Sequence, residues 1–256
     1  MKKKAILAVS FGTSHLDTME KTIQVLEDQI RETFPDYLVY RAFTSGIILK
    51  KLERENGLVF DNVRQAMERM KRDGVTEVIV QPTYIINGVE YDWMRADVEA
   101  CRGLFETVRL GAPLLSAPDD YKKTAHAVME SVELAPDECL ILMGHGTDHP
   151  ANSAYPAMEY TLQALGYDRI HMATVEGFPE LKDVMGKLRN RKIKKAVLLP
   201  FMLVAGDHAK NDMAGDEDSW KCELEEAGYE VHPILKGLGE LPGIRRIFIE
   251  HIEAAV

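Results

Sequence analysis

Three segments from the first half of this chain recur, in the same order, in the second half. Ser10-Phe-Gly-Thr-Ser-His15 aligns with Gly144-His-Gly-Thr-Asp-His149, and Arg41-Ala-Phe-Thr-Ser-Gly46 aligns with Met172-Ala-Thr-Val-Glu-Gly177. Val80-Gln-Pro-Thr-Tyr-Ile-Ile-Asn-Gly88 aligns with Leu198-Leu-Pro-Phe-Met-Leu-Val-Ala-Gly206. The offsets of 134, 131 and 118 residues drift only by loop lengths. A repeat on this scale means that one supersecondary plan has been built twice. The 256 residues are therefore expected to form two similar domains, 1–125 and 126–256, with the boundary inside Leu115 to Asp137.

Within each half, short apolar runs alternate with segments of helical period. The runs are Ala5–Val9, Tyr37–Phe43, Val78–Gln81 and Val108–Leu115, then Cys139–Met143, Ile170–Val175, Ala196–Leu199 and Glu230–Ile234. Continuous apolar runs joined by helices are the mark of buried parallel strands. The expected fold is α/β: two similar domains, each a parallel four-stranded sheet flanked by helices, with an active-site cleft between them. Met19, Ile23, Leu26 and Ile30 form one apolar helical stripe, and Tyr155, Met158, Leu162 and Leu165 form another. Ser14 or Asp17 is placed to cap the first of these helices and Asn152 the second. Gly74 and Gly166 stand where helix C-termini favour positive φ.

Charge narrows the function classes. Against 41 Asp and Glu there are only 31 Lys and Arg, a net charge of −10, which removes the broad positive field of a nucleic-acid or anionic-membrane binder. The start Met1-Lys-Lys-Lys before an apolar run resembles a signal peptide only superficially. The run breaks at Gly12-Thr13-Ser14 and reads better as a buried first strand, and no run approaches the roughly 18 apolar residues of a membrane span. Cys101, Cys139 and Cys222 lack metal or redox spacing and read as reduced thiols, so a cytoplasmic location is expected, with homo-oligomer formation left open.

In parallel α/β sheets, ligands bind beyond the carboxyl ends of the strands, where all the repeated segments fall. There the second half carries His145, Glu176 and His208, whereas the first half carries Phe11, Ser45 and Glu90 at the aligned positions. Two imidazoles and a carboxylate suit a first-row divalent ion and leave coordination positions open. A lone strand-end histidine is more often a hydrogen-bonded structural residue, and only convergence on one mouth argues otherwise. His149 has its counterpart in His15 and so belongs with the shared framework. Asp207, next to His208, is a candidate orienter or weaker ligand. Asp212, Asp216, Glu217 and Asp218 are assigned to the N-terminus of a helix before Trp220. The Gly12-Thr13-Ser14 loop is a weak phosphate cradle without a nucleotide fingerprint, and no G-x-S-x-G nucleophile elbow is present.

Together, S-F-G-T-S, M-G-H-G-T-D-H-P-A-N, T-V-E-G-F-P and P-F-M-L-V-A-G-D-H-A-K-N-D-M-A-G-D-E-D-S-W-K resemble the anaerobic cobalt chelatases, sirohydrochlorin cobaltochelatases of the class II chelatase superfamily. The resemblance runs end to end and includes L-K-G-L-G-E near the C-terminus. It implies a metal chelatase (a lyase) that inserts Co2+ into sirohydrochlorin in the early-cobalt route to cobalamin, with His145, Glu176 and His208 as metal ligands. The bound metal is then a substrate, Fe2+, Ni2+ or Zn2+ are possible substitutes, and no organic cofactor, nucleic acid or membrane is involved. A non-catalytic tetrapyrrole or metal carrier, or a chelatase preferring Fe2+ or Ni2+, would use the same residues.

Insertion exchanges two pyrrole protons for one cation. His145 and His208 are therefore candidate proton acceptors as well as ligands, and Glu90 is a further candidate. The flat, carboxylate-ringed macrocycle calls for an apolar slot with donors at its rim. Phe11, Pro82, Tyr84, Met202 and Leu203 are the expected slot, and Ser10, Gly12, Thr13 and Gly88 the expected backbone or rim contacts.

Overall fold

The structure, a computed structural model, describes residues 2–189 and 192–256. The chain separates into two compact units, Met1–Ser116 with Arg245–Val256, and Ala117–Ile244.

In the first unit, β1 (Lys4–Ser10) leads into α1 (Leu16–Met19), which continues through a π-helical turn (Glu20–Gln24) into α2 (Val25–Thr33). Then come β2 (Tyr37–Phe43), α3 (Gly46–Asn56), α4 (Val63–Arg72), β3 (Glu77–Pro82), α5 (Val89–Cys101) and β4 (Thr107–Leu110). The second unit has α6 (Pro118–Met129), β5 (Glu138–Gly144), α7 (Ala154–Ala164), β6 (Ile170–Thr174), α8 (Leu181–Leu188), β7 (Lys195–Pro200), α9 (Trp220–Glu226) and β8 (Glu230–Pro233). Helix α10 (Pro242–Ala255) ends the chain. Both sheets are parallel and share one plan, β2-β1-β3-β4 and β6-β5-β7-β8. The expected pair of four-stranded parallel sheets is therefore present. The central strands β1 and β5 are buried from their second residue onward, which is why they read as unbroken apolar runs. Among the described residues, no helix is long and apolar enough to cross a membrane.

The expected boundaries need revision. The units divide after Ser116, and residues 245–256 group with the first unit rather than the second. Named bonds explain the return: Arg245 Nε donates to Gln29 Oε1 at 3.1 Å, His251 Nδ1 donates to the Ala112 carbonyl at 2.9 Å, and Arg109 binds the Ala255 and Val256 carbonyls. The fourth run is shorter than Val108–Leu115: the strand ends at Leu110, and Pro113 has no N–H for a ladder.

Caps also differ from expectation. His15, not Ser14 or Asp17, is the N-cap of α1, and Thr13 Oγ1 accepts its N–H at 3.2 Å. The same bond recurs between His149 N and Thr147 Oγ1 at 3.1 Å. His149 Nδ1 in turn accepts from Ala151 N at 3.2 Å, capping the short 3-10 turn Pro150–Ser153 that precedes α7. That agrees with His149 as framework, while Asn152 is released for a different task. Gly74 and Gly166, with φ of 79° and 87°, end α4 and α7 as expected.

Candidate metal centre

The two units present equivalent positions at their strand ends. Phe11 and His145 each lie one residue past the first strand, Ser45 and Glu176 two past the second, and Glu90 and His208 eight past the third. Backbone bonds hold both copies alike. Ser45 N donates to Phe11 O at 3.1 Å and Glu176 N to His145 O at 2.8 Å; Thr83 N donates to Val9 O at 2.8 Å and Phe201 N to Met143 O at 2.7 Å. The strand ends are thus held alike, and at the aligned positions the second copy carries two imidazoles and a carboxylate.

In that copy His145, Glu176 and His208 come together, with one potential donor atom from each lying within 4.8 Å of the others. The imidazole rings stand 4.7 Å apart at their centroids and nearly perpendicular, at 89°. His145 Nδ1 lies 3.9 Å from Glu176 Oε2. The histidines are half-buried and Glu176 is exposed. Donors about 2.1 Å from a tetrahedral ion stand about 3.4 Å apart, so modest side-chain rotation closes this set on a cation.

Hydrogen bonding fixes which nitrogen is available. His145 Nδ1 lies 2.9 Å from the Gly146 carbonyl, and His208 Nδ1 lies 2.6 Å from Asp212 Oδ2. Both partners only accept, so each ring carries its proton on Nδ1 and offers the Nε2 lone pair. The carboxylate bonded to His208 is Asp212, where the sequence pointed to Asp207. Asp212 does not serve the helix before Trp220, as the sequence suggests, because Ser219 caps that helix, its Oγ accepting from Cys222 N at 3.3 Å.

Close contact between two loops brings His145 to Glu176. A Cβ on Gly146, whose φ is +83°, would stand 2.6 Å from Gly177 N and 2.9 Å from the Glu176 carbonyl carbon. A Cβ on Gly177 would stand 2.6 Å from Asn152 Oδ1. Asn152 clamps the same crossing: its Oδ1 accepts from Thr147 N at 3.1 Å and its Nδ2 donates to Phe178 O at 2.6 Å. Nothing in the residue pattern singled Asn152 out for this role. We expect Gly146→Ala to drive the loops apart, at a cost of about 1–3 kcal/mol for the forced left-handed backbone plus the clash. Isothermal titration with Co2+ should show clearly weakened binding, and unchanged affinity would contradict this account of the crossing.

The residues expected to meet the macrocycle are placed unequally. Phe11 is 49% exposed, and Met202 and Leu203 are half-buried. Ser10, Gly12, Thr13, Pro82, Tyr84 and Gly88 are buried. Ser10 Oγ pairs with Thr83 Oγ1 at 2.8 Å, Thr13 Oγ1 with His15 N, and the Tyr84 hydroxyl donates to Thr44 Oγ1 at 3.2 Å. Burial raises the Tyr84 phenol well above its usual range. The Ser10, Thr13 and Tyr84 hydroxyls are thus engaged within the first unit. Glu90 lies half-buried in the first turn of α5. A cavity of about 780 Å³ opens beside Glu176 in the second unit, lined by Thr147, Val175, Phe178, Lys182 and Trp220 among others, and none of the nine expected macrocycle contacts lines it.

The model of the cobalt chelatase (CbiK) family matches residues 4–256. The chain is similar to a sirohydrochlorin cobaltochelatase of Salmonella typhimurium, 40% identical over 256 residues, covering 99% of this chain and 97% of the relative. It is also 36% identical over 261 residues to the sirohydrochlorin cobaltochelatase CbiKC of Nitratidesulfovibrio vulgaris, covering 100% and 92%. Among solved structures, SirB from Bacillus subtilis with Fe3+ shares the fold, with a TM-score of 0.69 at 14% identity over 99% of this chain and 95% of SirB.

Proposed function

This chain belongs to the cobalt chelatase (CbiK) family, and on that premise we propose that it inserts Co2+ into sirohydrochlorin with release of two protons, a step toward cobalamin. The observation that carries the reading is the convergence of His145, Glu176 and His208 in one unit, at positions where its repeat has Phe11, Ser45 and Glu90.

The chemistry needs a site that holds a divalent cation without trapping it. Three protein donors leave positions for water and then for pyrrole nitrogens, so the ion passes to the ring by ligand exchange. A ring N–H gives up its proton as its nitrogen takes the metal. Either imidazole, freed of the cation, has a basic Nε2 to accept that proton. Glu90 is proposed as a further acceptor on its repeat position alone. Glu90→Gln should lower kcat less than either histidine substitution and leave Co2+ affinity unchanged, and an unaltered rate removes it from the mechanism.

These donors discriminate weakly among late first-row ions, so Fe2+, Ni2+ and Zn2+ are proposed as competent substitutes. Cys101, Cys139 and Cys222 are all free thiols, which supports a reducing, cytoplasmic setting.

Anaerobic mixing of sirohydrochlorin, Co2+ and a small fraction of an equivalent of protein tests the activity. The expected result is conversion of the tetrapyrrole spectrum over many turnovers, faster with Co2+ than with Fe2+ or Ni2+. Conversion that stops at one equivalent would make the protein a carrier.

A further inference from the structure

We infer that Asp212 is the positioning residue for His208: it fixes the imidazole tautomer and aim that make this histidine a cation ligand. The inference rests on the reading of His208 as a cobalt ligand and adds a residue to that site.

His208 is the N-cap of a π-helical turn, Ala209–Met213, which is an uncommon conformation often associated with functional sites. The turn carries Asp212 back over His208, so that Oδ2 meets Nδ1 in a short contact of 2.6 Å, as expected where the acceptor is a carboxylate. A carboxylate accepts only, so the ring proton is held on Nδ1 and the Nε2 lone pair stays free for a cation. His208 is 36% exposed at its side chain and stands edge-on to His145, and the bond to Asp212 is what distinguishes its two ring nitrogens.

The turn is itself pinned. Ala209 and Met213, on either side of Asp212, are fully buried and anchor it in the core of the second unit. It closes where Gly215 N donates to Asn211 O at 3.0 Å, and a Cβ at Gly215 would stand 2.4 Å from that oxygen. Ser219 Oγ then donates to Gly215 O at 2.7 Å. Asp212 is thus held by backbone and buried side chains, as a supporting group must be to orient a ligand. The first unit lacks the device: four residues beyond Glu90 stands Met94, fully buried. The arrangement accompanies the imidazole and is absent from the repeat that has none.

The test titrates Co2+ into the metal-free full chain, wild type and Asp212→Ala, Asp212→Asn and His208→Ala, and measures Co2+ insertion kinetics in parallel. Losing the partner of a metal-bound imidazole typically weakens metal binding 10–100-fold. For Asp212→Ala we expect a loss of Co2+ affinity in that range, a matching rise in KM for Co2+, and kcat at saturating Co2+ within a few-fold of wild type. Asp212→Asn keeps an acceptor oxygen and should recover most of the affinity. The visible d–d band of the Co2+-loaded protein should change in Asp212→Ala and return toward wild type in Asp212→Asn. Wild-type affinity in Asp212→Ala, with His208→Ala impaired, overturns the role of Asp212 alone. Asp212→Asn binding as poorly as Asp212→Ala would make the carboxylate a direct ligand and overturn positioning. Wild-type affinity in His208→Ala overturns the metal site itself.

Discussion

His145→Ala and His208→Ala should each cut kcat/KM for Co2+ insertion by more than about 100-fold. Removing only an outer partner of a metal-bound imidazole typically costs 10–100-fold, so deleting the imidazole itself costs more. Each substitution leaves two donors, one of them the exposed Glu176. Neither should unfold the protein. Both rings lie at a strand end or loop outside the apolar cluster of the second unit, where substitutions usually change stability by no more than about 0.5 kcal/mol. Near-native melting with lost turnover is the expected signature, and wild-type turnover in both variants would remove the ligand assignment.

The second large effect concerns folding. Glu27 on α2 is 1% exposed, and Arg41 on β2 binds it with two nitrogens, Nε to Oε1 at 2.6 Å and Nη2 to Oε2 at 2.7 Å. The guanidinium also donates to Gln24 Oε1 at 2.7 Å and lies over the Phe43 and Phe60 rings at 5.8 and 5.4 Å. Arg41→Ala leaves the buried carboxylate with only Arg31 Nη2, at 3.5 Å, as an ion-pair partner, which should cost up to about 3–5 kcal/mol, whereas replacing both Glu27 and Arg41 by apolar residues, as in Glu27→Leu with Arg41→Met, should recover much of that loss. Urea unfolding measures both variants. A loss below about 1 kcal/mol in Arg41→Ala would mean that Glu27 regains solvent.

The second unit repeats the buried carboxylate with different partners. Glu159 on α7 meets His171 Nδ1 at 3.1 Å and Lys187 Nζ at 2.6 Å. Burial pushes the Glu159 carboxyl upward, but the bonds from His171 and Lys187 outweigh it and hold the group below its ordinary value of 4.5. A depressed carboxyl contributes stability that is fully present above that value and lost as pH falls through the folded-state one. Replacing Glu159 should therefore flatten the acid limb of the stability profile below about pH 4.5.

What the sequence made legible follows from pattern. Buried parallel strands leave unbroken apolar runs, and duplication left the same order of motifs twice, so eight strands and the His145, Glu176 and His208 set could be located. What escaped depends on how backbone turns at the ends of those runs. Asp207 is the neighbour of His208 in sequence, but the chain enters a helical turn there, which puts Asp212, four positions on, against the ring. Asn152 had the chemistry of a helix cap, but its side chain bridges two loops because His149 caps that turn instead. Ser10, Thr13 and Tyr84 sit at strand ends as expected, yet their hydroxyls are used within the first unit. Strand-end position tells which residues are near a mouth; whether a side chain points out depends on contacts made far away in sequence.

X-ray absorption of the Co2+-loaded protein, compared with His145→Ala and His208→Ala, tests the central claim most directly. The account predicts a first shell with two imidazole nitrogens, carboxylate oxygen and at least one exchangeable water, and the loss of one imidazole in each variant. A shell of oxygen donors alone, or one unchanged by both substitutions, would contradict it.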